Sequence, residues 1–168
     1  MKKQIDIFDY AGVINHALPQ GILLNTKGDK VNTMTIGWGQ IGTEWGRKIF
    51  TVFVRESRYT KELLEQNPEF TVSCPLESVD KKVIAYCGTK SGKDTDKIKD
   101  MGLTVEEPEV ISVPGFKEFP LTIECKVIYK QDQPKELLTE EIQNQFYKNG
   151  DYHTLYIGEI VAAYIIED

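Results

Sequence analysis

The chain is poor in the residues from which most catalytic and metal centres are assembled: it has three cysteines, two histidines and three arginines among 168 residues. Cys74, Cys87 and Cys125 are odd in number and far apart, with no CxxC pair. Neither a disulfide framework nor a tetrahedral zinc site built from paired ligands is expected, and the three thiols read as small buried hydrophobes of a reduced, cytoplasmic protein. Long apolar runs are also missing. Nothing approaches the roughly 20 residues that cross a bilayer, and the first ten residues pass from two lysines into acidic residues without an apolar stretch. Membrane insertion and secretion are therefore not expected. Basic charge is in deficit too: 26 acidic against 20 basic side chains leave a net charge of -6, which repels nucleic acid and anionic membranes.

What is present suits one globular domain spanning residues 1–168, with hydrophobic residues at 40% and charged residues at 27%. Gly21 to Thr26, Asn32 to Trp38 and Lys48 to Val54 are short apolar or β-branched runs, the first two separated by the turn cluster Lys27-Gly28-Asp29. Glu69 to Pro75 and Leu121 to Tyr129 alternate with the period of two of a half-buried strand. His153 to Ile166 is apolar on both faces, with a bulge expected at Gly158. Between the strands, Thr60 is positioned to cap a helix over Lys61 to Gln66, Ser78 one over Val79 to Cys87 stopped by Gly88, Asp94 one ending at Gly102, and Thr139 one ending near Gly150. Strands outnumber helices without alternating with them, which points to a mainly β antiparallel barrel with peripheral helices.

Two glycine motifs invite nucleotide readings that their contexts reject. Gly37 to Gly42 spells GxGxxG, but the residues that follow read as a turn leading into a strand, not as the helix whose N-terminus would hold a pyrophosphate, so the motif reads as a turn between two strands. Gly88 to Asp94 is one residue too short for a phosphate loop and has Asp94 where the magnesium-binding hydroxyl belongs. What remains is a flexible glycine–serine loop with Lys90, Lys93 and Lys97, suited to a single phosphate group. Two of the three arginines, Arg55 and Arg58, lie just before Thr60, the expected capping residue of a helix, where guanidinium forks, hydroxyls and free helix N–H groups converge. Two anion-friendly segments in an acidic chain suggest a small phosphorylated ligand. The strand Asn32 to Trp38 carries Gly37 near its end, which permits a flat molecule to approach, with Trp38 and Tyr59 available for apolar contact.

Taken together, Asn32 to Trp38, Val54 to Thr60 and Cys87 to Gly92 with Asp96-Lys97 resemble the flavin reductase-like family of FMN-binding split barrels. Leu121 to Val127 is similar to that family's long central strand, and His153 through Val161 to its closing strand, so the resemblance runs from about Pro19 onward. It implies a Greek-key split β-barrel, a homodimer, and FMN near the subunit interface. Asn32, Met34, Thr35, Ile36, Gly37 and Trp38 would lie along the isoalloxazine ring, while Arg55, Arg58, Tyr59, Thr60, Ser91, Gly92 and Lys97 would approach the ribityl phosphate. The function so implied is an NAD(P)H:flavin reductase. A flavoredoxin-like electron carrier reduced by a protein partner is the alternative, and a barrel that only stores or senses flavin is a third reading. No catalytic acid or base is obligatory for flavin chemistry. His153 is expected to be a hydrogen-bonded strand histidine, with a place on the substrate side of the flavin as the other reading.

Overall fold

Period-two sequence patterns become an antiparallel sheet whose order is not the order of the chain. The computed structural model describes residues 1–78 and 80–168. The elements are β1 (Lys2–Gln4), α1 (Ala11–Ala17), β2 (Ile22–Lys27), β3 (Val31–Ile36), β4 (Gly39–Glu44), β5 (Arg47–Arg55), α2 (Tyr59–Gln66), β6 (Glu69–Cys74), α3 (Lys81–Thr89), α4 (Lys97–Asp100), β7 (Val105–Glu106), β8 (Gly115–Phe116), β9 (Leu121–Asp132), α5 (Glu140–Phe146) and β10 (His153–Ile166). The main sheet runs β3-β2-β6-β9-β10-β5-β4, with β1 added beside β10. The end strands β3 and β4 are joined in sequence through Gly37-Trp38 yet do not pair with each other, so the barrel is split there.

Strand β10 is long enough to serve several partners. It pairs with β9 along one edge and with β5 and then β1 along the other, and a register shift falls between Ile157 and Gly158, where the bulge was expected. The barrel interior is filled from β2, β3, β5, β6, β9 and β10 by residues such as Leu24, Phe50, Val52, Phe70, Val72, Ile123 and Tyr156. Leu23 points the other way, into a second cluster with Val83, Cys87, Leu103, Phe116 and Phe119 that seats α3 on the outside. Burying side chains on both faces of β2 explains its unbroken apolar run. All three cysteines are free and buried in these clusters, and burial pushes their thiols up, that of Cys74 to about 12.

Several local expectations need correction. Gly37 to Gly42 is not a turn: Gly39–Glu44 is strand β4, and the reversal comes later, at Trp45-Gly46, where both residues have positive φ (49° and 69°) as a tight hairpin requires. Thr60 does not cap α2; Arg58 occupies that position and Thr60 lies buried in the first turn. Asp80, not Ser78, caps α3 by accepting from the Lys82 N–H, and Gly88 lies inside that helix, packed against Thr35, instead of ending it. Val79, assigned above to the same helix, lies outside the described residues. The helix expected from Asp94 shrinks to one turn, Lys97–Asp100, capped by Asp96. The helix begun by Thr139 forms as expected but stops at Phe146. The N-terminal β1 and α1 had no reading in the sequence.

Candidate functional site

Two adjoining clefts open beside the split in the barrel. The first is lined by the end of β3 and its exit, Met34 to Trp38, by Phe53 and Arg55 of β5, by Arg58, and by His153 at the start of β10. Pairing of His153 with Arg55 in the β5–β10 ladder sets these two side-chain positions opposite each other. Ile36 and Met34 are buried in the barrel core, so this wall is an extension of the core itself. Trp38, by contrast, is 44% exposed and leaves the core to stand over the cleft, with Phe146 edge-on at 5.1 Å and the His153 ring tilted against it at 5.1 Å. Trp38 is thus a cleft residue and not a core residue.

The second cleft is assembled from segments distant in sequence. Asn32 and Met34 come from β3, Ser57 to Thr60 from the turn that opens α2, Thr89 to Gly92 from the end of α3 and its loop, and Lys97 from α4. Met34 and Arg58 line both clefts, so the two adjoin there. All thirteen residues singled out in the sequence line one cleft or the other. Sequence reasoning missed Phe53 and the packing of Phe146. Neither carried a signal, because a phenylalanine in a strand or a short helix reads as core.

The polar groups of the second cleft are held in place by neighbouring backbone. Lys97 is buried, and its Nζ donates to the carbonyls of Thr33 and Cys87, both at 2.9 Å. Burial lowers its pKa, helped by nearby Arg58, against an opposing effect of Cys87. Arg58 donates from Nη1 to the Gly88 carbonyl at 3.3 Å. Asn32 Nδ2 reaches Thr60 Oγ1 at 3.4 Å, and Gly92 lies so close that an added Cβ would stand 2.0 Å from Asn32 Oδ1. Of the loop lysines, Lys93 turns away to pair with Glu62.

The other guanidinium, Arg55, is committed to structure. It donates to the carbonyls of Asp151 at 2.8 Å and Phe146 at 3.2 Å and lies over the Tyr147 ring. Asp151 in turn accepts from the Ser57 N–H at 2.9 Å and the Ser57 hydroxyl at 2.7 Å, bracing the turn that presents Arg58. His153 is buried, and its Nδ1 lies 2.7 Å from the Tyr147 hydroxyl, so it is both a hydrogen-bonded strand histidine and a cleft residue. Burial, reinforced by Arg55, lowers its pKa to about 4. Arg47 and Lys48 sit at the opposite end of β5 from Arg55, ion-paired with Glu159 and Asp6.

This geometry has relatives. Over 133 residues the chain is 32% identical to an uncharacterised protein of Archaeoglobus fulgidus, covering 79% of this chain and 64% of that one. It thus spans just under two thirds of that relative's length. A second uncharacterised protein, from Pyrococcus abyssi, is 30% identical over 84% of this chain and 70% of its own. Among solved structures, the flavoredoxin of Desulfovibrio vulgaris (Miyazaki F) superposes with a TM-score of 0.68 at 26% identity, covering 88% of this chain and 69% of that one. The flavoredoxin from Methanosarcina acetivorans does so at 0.67 and 28%, covering 88% and 68%. An FMN-binding domain of a flavin reductase-like enzyme from Shewanella baltica shares the split-barrel fold at 20% identity, with a TM-score of 0.69 over 98% of this chain and 77% of that one. The sequence profile described as flavin reductase like domain matches residues 15–168, and the chain belongs to that family.

Proposed function

We propose that the protein is an FMN-dependent oxidoreductase, an NAD(P)H:flavin reductase in which a nicotinamide reduces FMN held across the two clefts. The observation that carries this reading is the junction at Met34 and Arg58, which joins a slot suited to a flat ring to a pocket of fixed cations and hydroxyls suited to a phosphate. The chain's own groups fit such a ligand. A guanidinium has five N–H donors and an ammonium three. Among the described residues Arg58 makes one hydrogen bond and Lys97 two, so donors remain at the phosphate end. Thr60 and Ser91 add hydroxyls, and the first turn of α2 adds backbone N–H groups with their partial positive charge. At the ring end, the exit of β3 from Thr35 to Gly37 brings main chain to the cleft, while Trp38 and Phe53 limit water.

When bound, FMN would supply the redox chemistry, taking up a hydride that leaves the dihydronicotinamide as its oxidised pyridinium, and later releasing both electrons to an acceptor. The protein's contribution is binding, orientation and exclusion of water. The visible spectrum of the purified protein tests this directly: a yellow sample bleached by NADH or NADPH supports the reading. Colourless protein that takes up no FMN on dialysis overturns it.

A second reading is favoured by the two flavoredoxins, which are more than a quarter identical to this chain. In it the same FMN site is reduced by a protein partner such as a ferredoxin. Reduction by ferredoxin but by neither nicotinamide would select it. We also propose that a second copy of the chain covers the outer face of β4, β5 and β10. There Ile49, Leu155 and Ile157 line an apolar hollow that shares Phe53 with the first cleft. Sedimentation at micromolar concentration should show a dimer, and a monomer would remove this part of the proposal.

A further inference from the structure

We propose that Tyr147 is a positioning residue: its hydroxyl, itself committed to Gln133, holds His153 with the ring proton on Nδ1, so that Nε2 faces the first cleft as a hydrogen-bond acceptor. Three hydrogen bonds form a closed circuit. The backbone N–H of Gln133 donates to the His153 carbonyl at 3.0 Å, the Tyr147 hydroxyl donates to Gln133 Oε1 at 3.0 Å, and the Tyr147 oxygen lies 2.7 Å from His153 Nδ1. A phenol has one proton. Once it points at Gln133, the oxygen can only accept from the imidazole, which requires Nδ1–H.

Two members of the circuit, Tyr147 and His153, are also fixed from outside it. Tyr147 is buried, stacked on Tyr152 at 4.9 Å and covered by the Arg55 guanidinium, and its backbone N–H ends α5 by bonding to Gln143. His153 is locked in the β5–β10 ladder. The charged groups facing the ring are Arg55 and Arg58, with Asp151 opposing them, and burial together with the arginines keeps the imidazole neutral at pH 7. A neutral ring has a single N–H, and Nδ1 holds it. Among the described residues Nε2 has no partner, yet it is not among the sealed polar atoms, so it opens to the cleft that His153 lines beside Trp38. A second ligand seated against Trp38 therefore meets an acceptor there and must bring an N–H or O–H donor to that edge. This last step rests on the redox reading above, whereas the tautomer does not.

The test is long-range proton–nitrogen NMR on the ligand-free, nitrogen-15-labelled chain at pH 7. With only His16 and His153 present, a His16→Gln variant assigns the signals. Wild-type His153 should show a pyrrole-type Nδ1 and a pyridine-type Nε2. In Gln133→Met the hydroxyl loses its acceptor and turns to donate into Nδ1, so the tautomer should invert to Nε2–H. In Tyr147→Phe, which keeps the packing ring, the Nδ1–H preference should be lost. An Nε2–H form in the wild type, or the wild-type pattern unchanged in the two variants, would overturn the proposal. If Tyr147→Phe fails to fold, the inversion in Gln133→Met decides alone. Because the measurement needs no flavin, protein that never binds FMN would sink the redox reading and leave this result standing.

Discussion

The two clefts meet at Met34 and Arg58 but are built on opposite plans. The first continues the barrel: its floor is the strand that also buries Met34 and Ile36 in the core, and its partners across the ladder, Arg55 and His153, are fixed by sheet register. The second has no such continuity. A helix start, a glycine–serine loop and a one-turn helix bring Arg58, Ser91 and Lys97 together, the first two held by one hydrogen bond each to backbone and Lys97 by two. Main-chain scaffolding tolerates side-chain change, whereas a site assembled from loops depends on individual atoms fitting. The first cleft should therefore fail only when the barrel fails, and the second should fail to one added carbon.

Gly92→Ala makes that the sharpest test. The new Cβ would stand 2.0 Å from Asn32 Oδ1 and 3.1 Å from Tyr59 Cδ1, and Asn32 is buried with its amide bonded to Thr60, so Asn32 cannot swing clear. Overpacking of this kind costs about 1–3 kcal/mol. Spread onto the loop that would hold the phosphate, it should weaken FMN binding about a hundredfold. Quenching of FMN fluorescence on titration measures it, and a change below threefold would mean that this cleft does not hold the phosphate.

His153 probes the first cleft through pH. Its pKa is about 4 in the folded protein, below the ordinary value of 6.5, so between those limits the unfolded chain binds a proton that the native chain refuses. Stability should then be fully present above pH 6.5 and fall as pH drops toward 4, by about 3 kcal/mol in total from this residue. Urea melts at pH 7.5 and 4.5 should show a steeper loss in the wild type than in His153→Asn. Equal losses would place the imidazole in water.

The two arginines separate the clefts most cleanly. Arg58→Ala removes donors that remain for a ligand and should weaken FMN binding about tenfold, with little change in melting temperature. Arg55→Ala should do the reverse, since its guanidinium joins the carbonyls of Phe146 and Asp151 and leaves them unpaired when lost. If both variants affect affinity equally, the division of labour between the clefts is wrong.

Much of this was legible in the sequence because the strands carry it. The period of two in Phe70, Val72 and Cys74 and in Leu121, Ile123 and Cys125 reports burial directly, and two of the three motifs of the site run along a strand or just past its end, the third following α3. Strand β4 was hidden because Gly37, Gly39 and Gly42 look like a turn, while the true turn uses Trp45 at positive φ, a residue that rarely advertises one. The start of α3 moved from Ser78 to Asp80 because both are capping residues, and the sequence does not say which of them accepts the helix N–H that Asp80 takes from Lys82. Asp151 and Tyr147 were invisible as site residues. Asp151 meets Ser57 only when β10 closes onto β5, and Tyr147 meets His153 through a local chain reversal that no sequence pattern marks.

The smallest effect expected is at Ser57, and it bears on how tightly the clefts are coupled. Asp151 adopts a left-handed backbone, φ 55°, which places its carboxylate over the turn that carries Arg58. Burial works against its charge, but the two Ser57 bonds and Arg55 hold its carboxyl below the usual carboxylate range. Ser57→Ala removes the hydroxyl bond and keeps the backbone one, in an exposed position, so it should cost about 0.5 kcal/mol of stability and raise the FMN dissociation constant about twofold. A group whose folded pKa is depressed stabilises the fold above its unfolded pKa, and that contribution disappears as pH falls through the folded value. The difference between wild type and Ser57→Ala should therefore be constant from pH 8 to 5 and close in stronger acid, when Asp151 takes up its proton. A difference that persists unchanged into strong acid would show that the turn is held by the Ser57 hydroxyl alone, leaving the phosphate cleft independent of β10.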